Sequence, residues 1–373
     1  MEEKRRKRSW FRFSMLIVNL AAAALLLCSY AASWISPQNF WPLAFLGISY
    51  PVLLTVNLFF VVFWMVQWNR YTLISLLTIL LGFGHLRAMF PLNFGSSEET
   101  RSVGLKVLTF NVHSLYGKDL GGNVEDARSR VTDFLTSERA DIVCIQEFYA
   151  IGEEYMKTLH KFSRSLKLGY FYFKNYRDFW QKTKINAIAT FSRYPVVNEG
   201  FFRLEEKSTF GIFTDLAVGG DTIRVYNLHL ESIRLGNDDY SFYSQLTDPA
   251  VDDKNFVGGT KKMIWKLRKA FMIRAREVEM LKNHMKFCPY PILICGDFND
   301  TPSSYAYRQL SYGRKDAFLA AGDEWIGSTY AGRFPAFRID YILFDPSFRA
   351  VYYSRKNIDL SDHYPVTAGF NLK

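Results

Sequence analysis

The chain has 373 residues, enough for one large domain or two ordinary ones, and is 49% hydrophobic and 17% aromatic with a formal charge of +10. Residues 1–97 hold eight Lys/Arg against two Asp/Glu, so +6 of that charge lies in the N-terminal part and +4 in the rest. A basic body built for nucleic acid is therefore only mildly supported, and the four cysteines, without metal-ligand spacing, exclude a disulfide framework and read as buried free thiols.

The first 13 residues form a basic tip with Lys4, Arg5, Arg6, Lys7 and Arg8. Residues 14–94 carry almost no charge, Arg70 and Arg87 excepted, and divide into three apolar runs at about 15–35, 43–66 and 71–90. The first run exceeds the ~7–15 residue core of a signal peptide and is long enough to cross a ~30 Å hydrocarbon layer. The second tolerates Pro51 and Asn57, and His85 and Arg87 interrupt the third. Trp34, Trp41, Trp64, Trp68 and Tyr71 lie near the run ends, where amphipathic rings favour the membrane interface. Runs with almost no polar face argue against a buried helical core of a soluble domain. Transmembrane helices are expected here. The basic tip would hold the N-terminus in the cytoplasm; three crossings, the preferred count, put the rest of the chain outside the cytoplasm, and two return it.

A composition shift marks a linker at 95–103, and residues 104–373 read as one catalytic domain. "LKVLTFNV" reads as a buried strand, "NVEDARSRVTDFLTSE" as an amphipathic helix capped by Asn123, and "DIVCIQEF" as the next strand. Further strands are expected at "NAIATF", "GIFTDLAV", "DTIRVYNLHL", "PILICGDF", "RIDYILF", "FRAVYYS" and "PVTAGF", with a tight hairpin at "AVGGDTI". A long helix is expected over 260–284 and a short one from about Ser303. On the long helix Met263, Leu267, Phe271, Val278 and Leu281 would pack inward. Lys261, Lys262, Lys266, Arg268, Lys269, Arg274 and Arg276 would be solvated, or else face phosphate or a membrane. The acidic, aromatic stretch at 232–259 reads as an irregular loop. "KNYRDFWQKTKIN" is a basic-aromatic patch suited to stacking on bases or resting at a lipid interface. Many strands with few helices predict an α/β (α+β) fold, a four-layer sandwich of two packed sheets flanked by helices, behind an N-terminal transmembrane helical segment.

Polar residues recur at the downstream ends of six of these strands: Asn111, Glu147, His229, Asp297 with Asn299, Asp340, and Asp362 with His363. Collected on one sheet edge, such carboxylates repel one another unless a cation neutralises them. Oxygen donors without cysteine or a His-x-x-x-His pair favour a hard ion, Mg²⁺ or Mn²⁺, over zinc.

"LTFNVHS", "DIVCIQE", "NAIATFSRYPV", "YNLHLES", "ICGDFND", "RIDYILF" and "LSDHYPV", taken in that order, resemble the motif series of the endonuclease/exonuclease/phosphatase superfamily, whose members include nucleases, sphingomyelinases and phosphoinositide phosphatases. The resemblance runs from about Gly104 to the C-terminus. It implies a metal held by Glu147, with Asn111 beside it and Asp362 as a further contact. It implies that Asp297 orients or deprotonates the attacking water, that Asn299 holds phosphate oxygens, and that His229 and His363, the latter steered by Asp340, serve the phosphoryl oxygens or the leaving group. The carboxylate that often supports the His229 position in the family has no obvious counterpart; Glu231 is the nearest in sequence. The expectation is a membrane-tethered, divalent-metal-dependent phosphoesterase, with a nucleic-acid substrate preferred. The alternatives are a lipid head group and a non-catalytic receptor on the same fold.

Overall fold

The computed structural model describes residues 2–91, 103–115, 124–151, 155–176, 184–204, 208–234, 253–324, 327–332 and 337–372. The linker at 95–103, nearly all of it, the cap at Asn123, most of the loop at 232–259 and the centre of the basic-aromatic patch lie outside the described residues. The chain forms two units, one of Met1–Met89 with Thr301–Arg308, the other of Phe90–Asp300 with Gln309–Lys373.

In the first unit, helices α1 (Glu2–Ala31), α2 (Pro37–Phe40), α3 (Pro42–Ile48), α4 (Tyr50–Val66), α5 (Thr72–Leu81) and α6 (Phe83–Met89) follow the apolar runs. Only Ser9–Ala31 is a single described helix long and apolar enough to cross a membrane. The second and third runs are each bent, α3 against α4 by 64° and α5 against α6 by 66°; up to three spans result if each bent pair is one span. Pro51, in the first turn of α4, has no N–H to continue the ladder across Ser49. Outward-facing side chains are apolar, Val52, Val66 and Leu81 among them, whereas the interior is pinned by polar ones. Asn19 Nδ2 donates to Ser75 Oγ (2.6 Å), Ser75 Oγ to Asn57 Oδ1 (2.9 Å), and Trp64 Nε1 to Asn19 Oδ1 (3.0 Å). Small polar residues that lock helices together inside an apolar shell suit a lipid solvent.

The second unit contains two mixed sheets. The first has the order β11 (Phe348–Arg355), β12 (Val366–Leu372), β1 (Leu105–Asn111), β2 (Ile142–Ile151), β4 (Lys184–Ser192), β3 (Tyr170–Asn175). The second has the order β5 (Val196–Arg203), β6 (Thr209–Val218), β7 (Asp221–His229), β8 (Ile292–Asp297), β10 (Asp340–Phe344), β9 (Lys315–Asp316). Val107, Cys144, Val225, Leu293, Ile342 and Ala368 fill the space between the sheets. Leu108, Phe110 and Val143 face the other way, onto α7 (Val124–Glu138) and α8 (Tyr155–Ser165) through Val131, Leu135, Leu159 and Phe162. Central strands covered on both faces read as unbroken apolar runs, which is why "VLTF" and "ILIC" lack alternation. Helix α9 (Asp253–Met285) buries Phe271, Val278 and Leu281; Met263 and Leu267 are half-buried. Arg274, expected in solvent, is instead 1% exposed. Two short helices, α10 (Tyr305–Ser311) and α11 (Ala317–Ala321), complete the set. The "GG" hairpin is as expected, with Gly219 and Gly220 both at positive φ between Val218 and Asp221. Cys144 and Cys295 are buried free thiols, but Cys28 is exposed and Cys288 half-buried.

Candidate active site

The register of the central strands brings the polar residues together. Parallel pairing of β1 with β2 sets Asn111 opposite Gln146, next to Glu147. Parallel pairing of β7 with β8 sets His229 opposite Asp297, and antiparallel β10 sets Asp340 opposite Asp297 from the other side. Gly296 makes this register possible. Its φ is +133°, and a Cβ there would lie 2.0 Å from the Leu228 carbonyl oxygen, so only glycine lets β8 meet β7 just before Asp297.

Three of the expected strand ends differ. Asp340 begins its strand; because β10 runs antiparallel to β8, its upstream end reaches the shared edge. Asp362 and His363 precede β12 for the same reason, antiparallel β12 lying beside β1. Glu147 sits within β2, at an irregularity between Ile145 and Phe148, and its φ of 56° turns the side chain toward the edge. Asp340 is not a partner of Arg338, whose guanidinium binds Asp316 at 2.6 Å.

Asp297 is 1% exposed and accepts three hydrogen bonds, from Asn299 N (2.7 Å), Asn111 Nδ2 (3.0 Å) and Asn299 Nδ2 (3.2 Å). Burial nevertheless lifts its pKa to about 6, with Asp340 adding to the rise and His363, His229 and the Asn299 amide opposing it. His363 Nδ1 meets Asp340 Oδ2 at 2.9 Å. Burial would lower the His363 pKa, but Asp340, Asp297 and Asp362 outweigh it and push it up to about 10, so the ring is an imidazolium at neutral pH. The Nε2 atoms of His363 and His229 converge on Asp297 Oδ2 at 3.7 and 3.8 Å. Glu147 Oε1 lies 3.7 Å from His229 Nε2. These separations exceed hydrogen-bond length and leave room for atoms that are not part of the chain.

Asn111 offers no free amide: its Oδ1 accepts the His113 N–H at 3.0 Å. Ser361 Oγ donates to the Asn111 carbonyl (2.8 Å) and so anchors the loop carrying Asp362 and His363. Two side chains absent from the expected set join the cluster. His113 Nδ1 lies 3.3 Å from Asp362 Oδ1. Tyr176 Oη accepts the Glu147 N–H (2.9 Å) and meets His229 Nδ1 at 2.8 Å. Burial, then Glu147, holds the Tyr176 pKa well above its ordinary value, so the phenol keeps its proton. That proton has His229 Nδ1 as its acceptor, which leaves the imidazole hydrogen on Nε2, facing Asp297. The support for His229 is thus a phenol rather than a carboxylate. Glu231 turns away, its carboxylate taken by Arg234 at 3.2 Å. No periodicity points to Tyr176, which follows the unexpected strand β3 and is 53 residues from His229.

If Tyr176 acts through His229, Tyr176→Phe is expected to lower kcat by about 10-fold or more, within the range of acid–base contributions. The double variant with His229→Ala should then be no slower than His229→Ala alone. Additive losses in that cycle would place Tyr176 in a separate role.

The donor set fits a divalent cation: Glu147 and Asp362 are part-exposed carboxylates, and one oxygen of Asp340, Oδ1, is buried without a hydrogen-bond partner. Asp297, Asp340 and His363 also offer ligand atoms within 4.8 Å of one another.

The Endonuclease/Exonuclease/phosphatase family model matches residues 108–363, and a domain of unknown function matches residues 11–89. No curated protein matches. Among solved structures, the chain is similar to the endonuclease/exonuclease/phosphatase from Beutenbergia cavernae, at 19% identity and TM-score 0.52, covering 73% of this chain and 72% of that one. A family protein from Leptotrichia buccalis is 16% identical (TM-score 0.49; 72% and 99% covered), and the human Nocturnin catalytic domain with bound sulfate is 17% identical (TM-score 0.49; 72% and 94% covered). At these identities the Beutenbergia structure bears on the fold alone, and the other two carry no argument. The family match spans more than half of the chain and contains every residue of the edge cluster: the chain belongs to the endonuclease/exonuclease/phosphatase family.

Proposed function

We propose that the chain is a membrane-tethered, divalent-metal-dependent phosphoesterase that hydrolyses a phosphodiester or phosphomonoester by in-line attack of water. The observation that carries this reading is the convergence of two imidazole Nε2 atoms on the buried Asp297 carboxylate, with Glu147 beside them. Asp297, with a pKa near neutrality, takes a proton from the attacking water. The His363 imidazolium, fixed by Asp340, and the Nε2–H of His229 donate to the phosphoryl oxygens. Asn299 and Asn111 hold Asp297 in place. Glu147 and Asp362 would hold Mg²⁺ or Mn²⁺, which when bound supplies neutralisation of the charge that builds on those oxygens.

A nucleic-acid phosphodiester is the substrate we propose first, following the nucleases of the family. A lipid head group is the second reading, favoured by the apolar outer surface and polar interior of the N-terminal helices, which would keep the site close to a bilayer. Three crossings would put the site outside the cytoplasm, two inside.

Purified full-length protein in detergent, given plasmid DNA, RNA, sphingomyelin and phosphoinositides with Mg²⁺ or Mn²⁺, should cleave one class and stop in EDTA. Asp297→Ala serves as the blank. Turnover that survives EDTA or Asp297→Ala would refute the metal-dependent reading.

A further inference from the structure

His113 differs from the other imidazoles of the edge. His363 and His229 each have one ring nitrogen hydrogen-bonded within 2.9 Å. His113 has neither a short contact nor full burial. Its Nδ1 lies between two carboxylates, 3.3 Å from Asp362 Oδ1 and 4.0 Å from Glu147 Oε2, and the side chain is 41% exposed. Both carboxylates are the ones that would hold the cation.

The bland interpretation is an ion pair in which a protonated ring bridges Glu147 and Asp362. Both distances are longer than a charge-assisted hydrogen bond, and a pair this exposed is worth little. Separations of 3.3 and 4.0 Å are instead those expected between donors around one cation, whose bonds to nitrogen and oxygen run near ~2.0–2.3 Å. The ring is also held there. The Asn111 side chain accepts its backbone N–H, and the neighbouring Ser114 Oγ donates to the same Glu147 oxygen that His113 faces, at 3.3 Å.

We propose that His113 donates Nδ1 to the cation held by Glu147 and Asp362, making a mixed nitrogen–oxygen site that favours Mn²⁺ over Mg²⁺. The inference rests on the phosphoesterase reading of the same site and adds the identity of the metal. Mg²⁺ takes oxygen ligands and keeps its waters, whereas imidazole suits transition ions. The nitrogen therefore adds affinity for Mn²⁺ and little for Mg²⁺.

The test needs no substrate. Full-length protein in detergent is titrated with Mn²⁺ and followed by electron paramagnetic resonance, with pulsed detection of nitrogen-14 coupling and with Mg²⁺ as competitor. Wild type should bind Mn²⁺ with nitrogen coupling. His113→Ala should weaken Mn²⁺ by about 10-fold or more and remove that coupling, while Mg²⁺ affinity falls much less. His113→Asp should restore Mg²⁺ binding but not the coupling. If His113→Ala leaves Mn²⁺ affinity and coupling unchanged while Glu147→Gln weakens binding, the metal site stands and His113 is not its ligand. If wild type binds no Mn²⁺ and Glu147→Gln changes nothing, the site reading fails and the inference falls with it. Melting curves of each variant separate loss of fold from loss of a ligand.

Discussion

Asp297→Asn is expected to lower turnover by about 10²–10⁴-fold, the contribution of a positioned general base, without unfolding the chain. Wild type should show an acid limb in its pH–rate profile near pH 6, because only ionised Asp297 accepts a proton and its pKa is raised to about 6 by burial. The same shift has a consequence for stability. A carboxyl whose folded pKa stands above its unfolded value of 3.8 binds its proton more tightly when folded. It therefore destabilises the folded chain above pH 6, by up to ~3 kcal/mol, and that penalty fades as the pH falls from 6 toward 4. Asn carries no such titration. In EDTA, the melting temperature of wild type should rise relative to Asp297→Asn as the pH is lowered from 7 to 4.5. A rate that stays flat down to pH 4.5, or a variant with near-wild-type turnover, would remove Asp297 from the role of base.

The strands that carry this site were readable because they are covered on both faces. "LTFN", "VCIQE" and "LICGD" are apolar until the chain reaches the edge, and the first polar side chains after such runs are the ones that meet there. Chain direction was less readable. Asp340 and Asp362 stand before their strands, and a one-dimensional pattern does not say which neighbours run antiparallel. The strands missed were β3 and β5: β3 lies at the rim of its sheet and is part-exposed, and β5, at the rim of the other, buries only Phe202, so neither shows a full apolar run. Tyr176 was hidden with β3. His113 lay inside a quoted motif, yet a single imidazole two residues after Asn111 says nothing until the register sets it against Asp362. The bends at Ser49 and Gly82 escaped notice because hydropathy records how apolar a run is, not whether it stays straight.

Arg274→Met is the second large effect expected, and it concerns the scaffold behind the edge. Arg274 was legible only as one basic residue among several on α9, but its guanidinium is buried at 1% exposure. Nε donates to Asp300 Oδ2 at 3.0 Å and Nη1 to the Glu231 carbonyl at 2.8 Å. Glu231 follows His229 by two residues, and Asp300 follows Asn299 directly. One side chain thus ties both loops that leave the site to the long helix. Replacing it with an apolar residue of similar length leaves the Asp300 carboxylate buried without its cation, a loss of about 3–5 kcal/mol. For a domain of this size that corresponds to a fall of roughly 6–15 °C in melting temperature. Arg274→Met combined with Asp300→Leu should recover much of the stability, because no unpaired charge is left. It should not recover turnover, since neither loop regains its anchor and His229 and Asn299 sit at their ends. Stability and activity are then separable at a distance from the chemistry. A single variant that melts within about 2 °C of wild type would show that Asp300 finds another partner and that the tie does not hold the site.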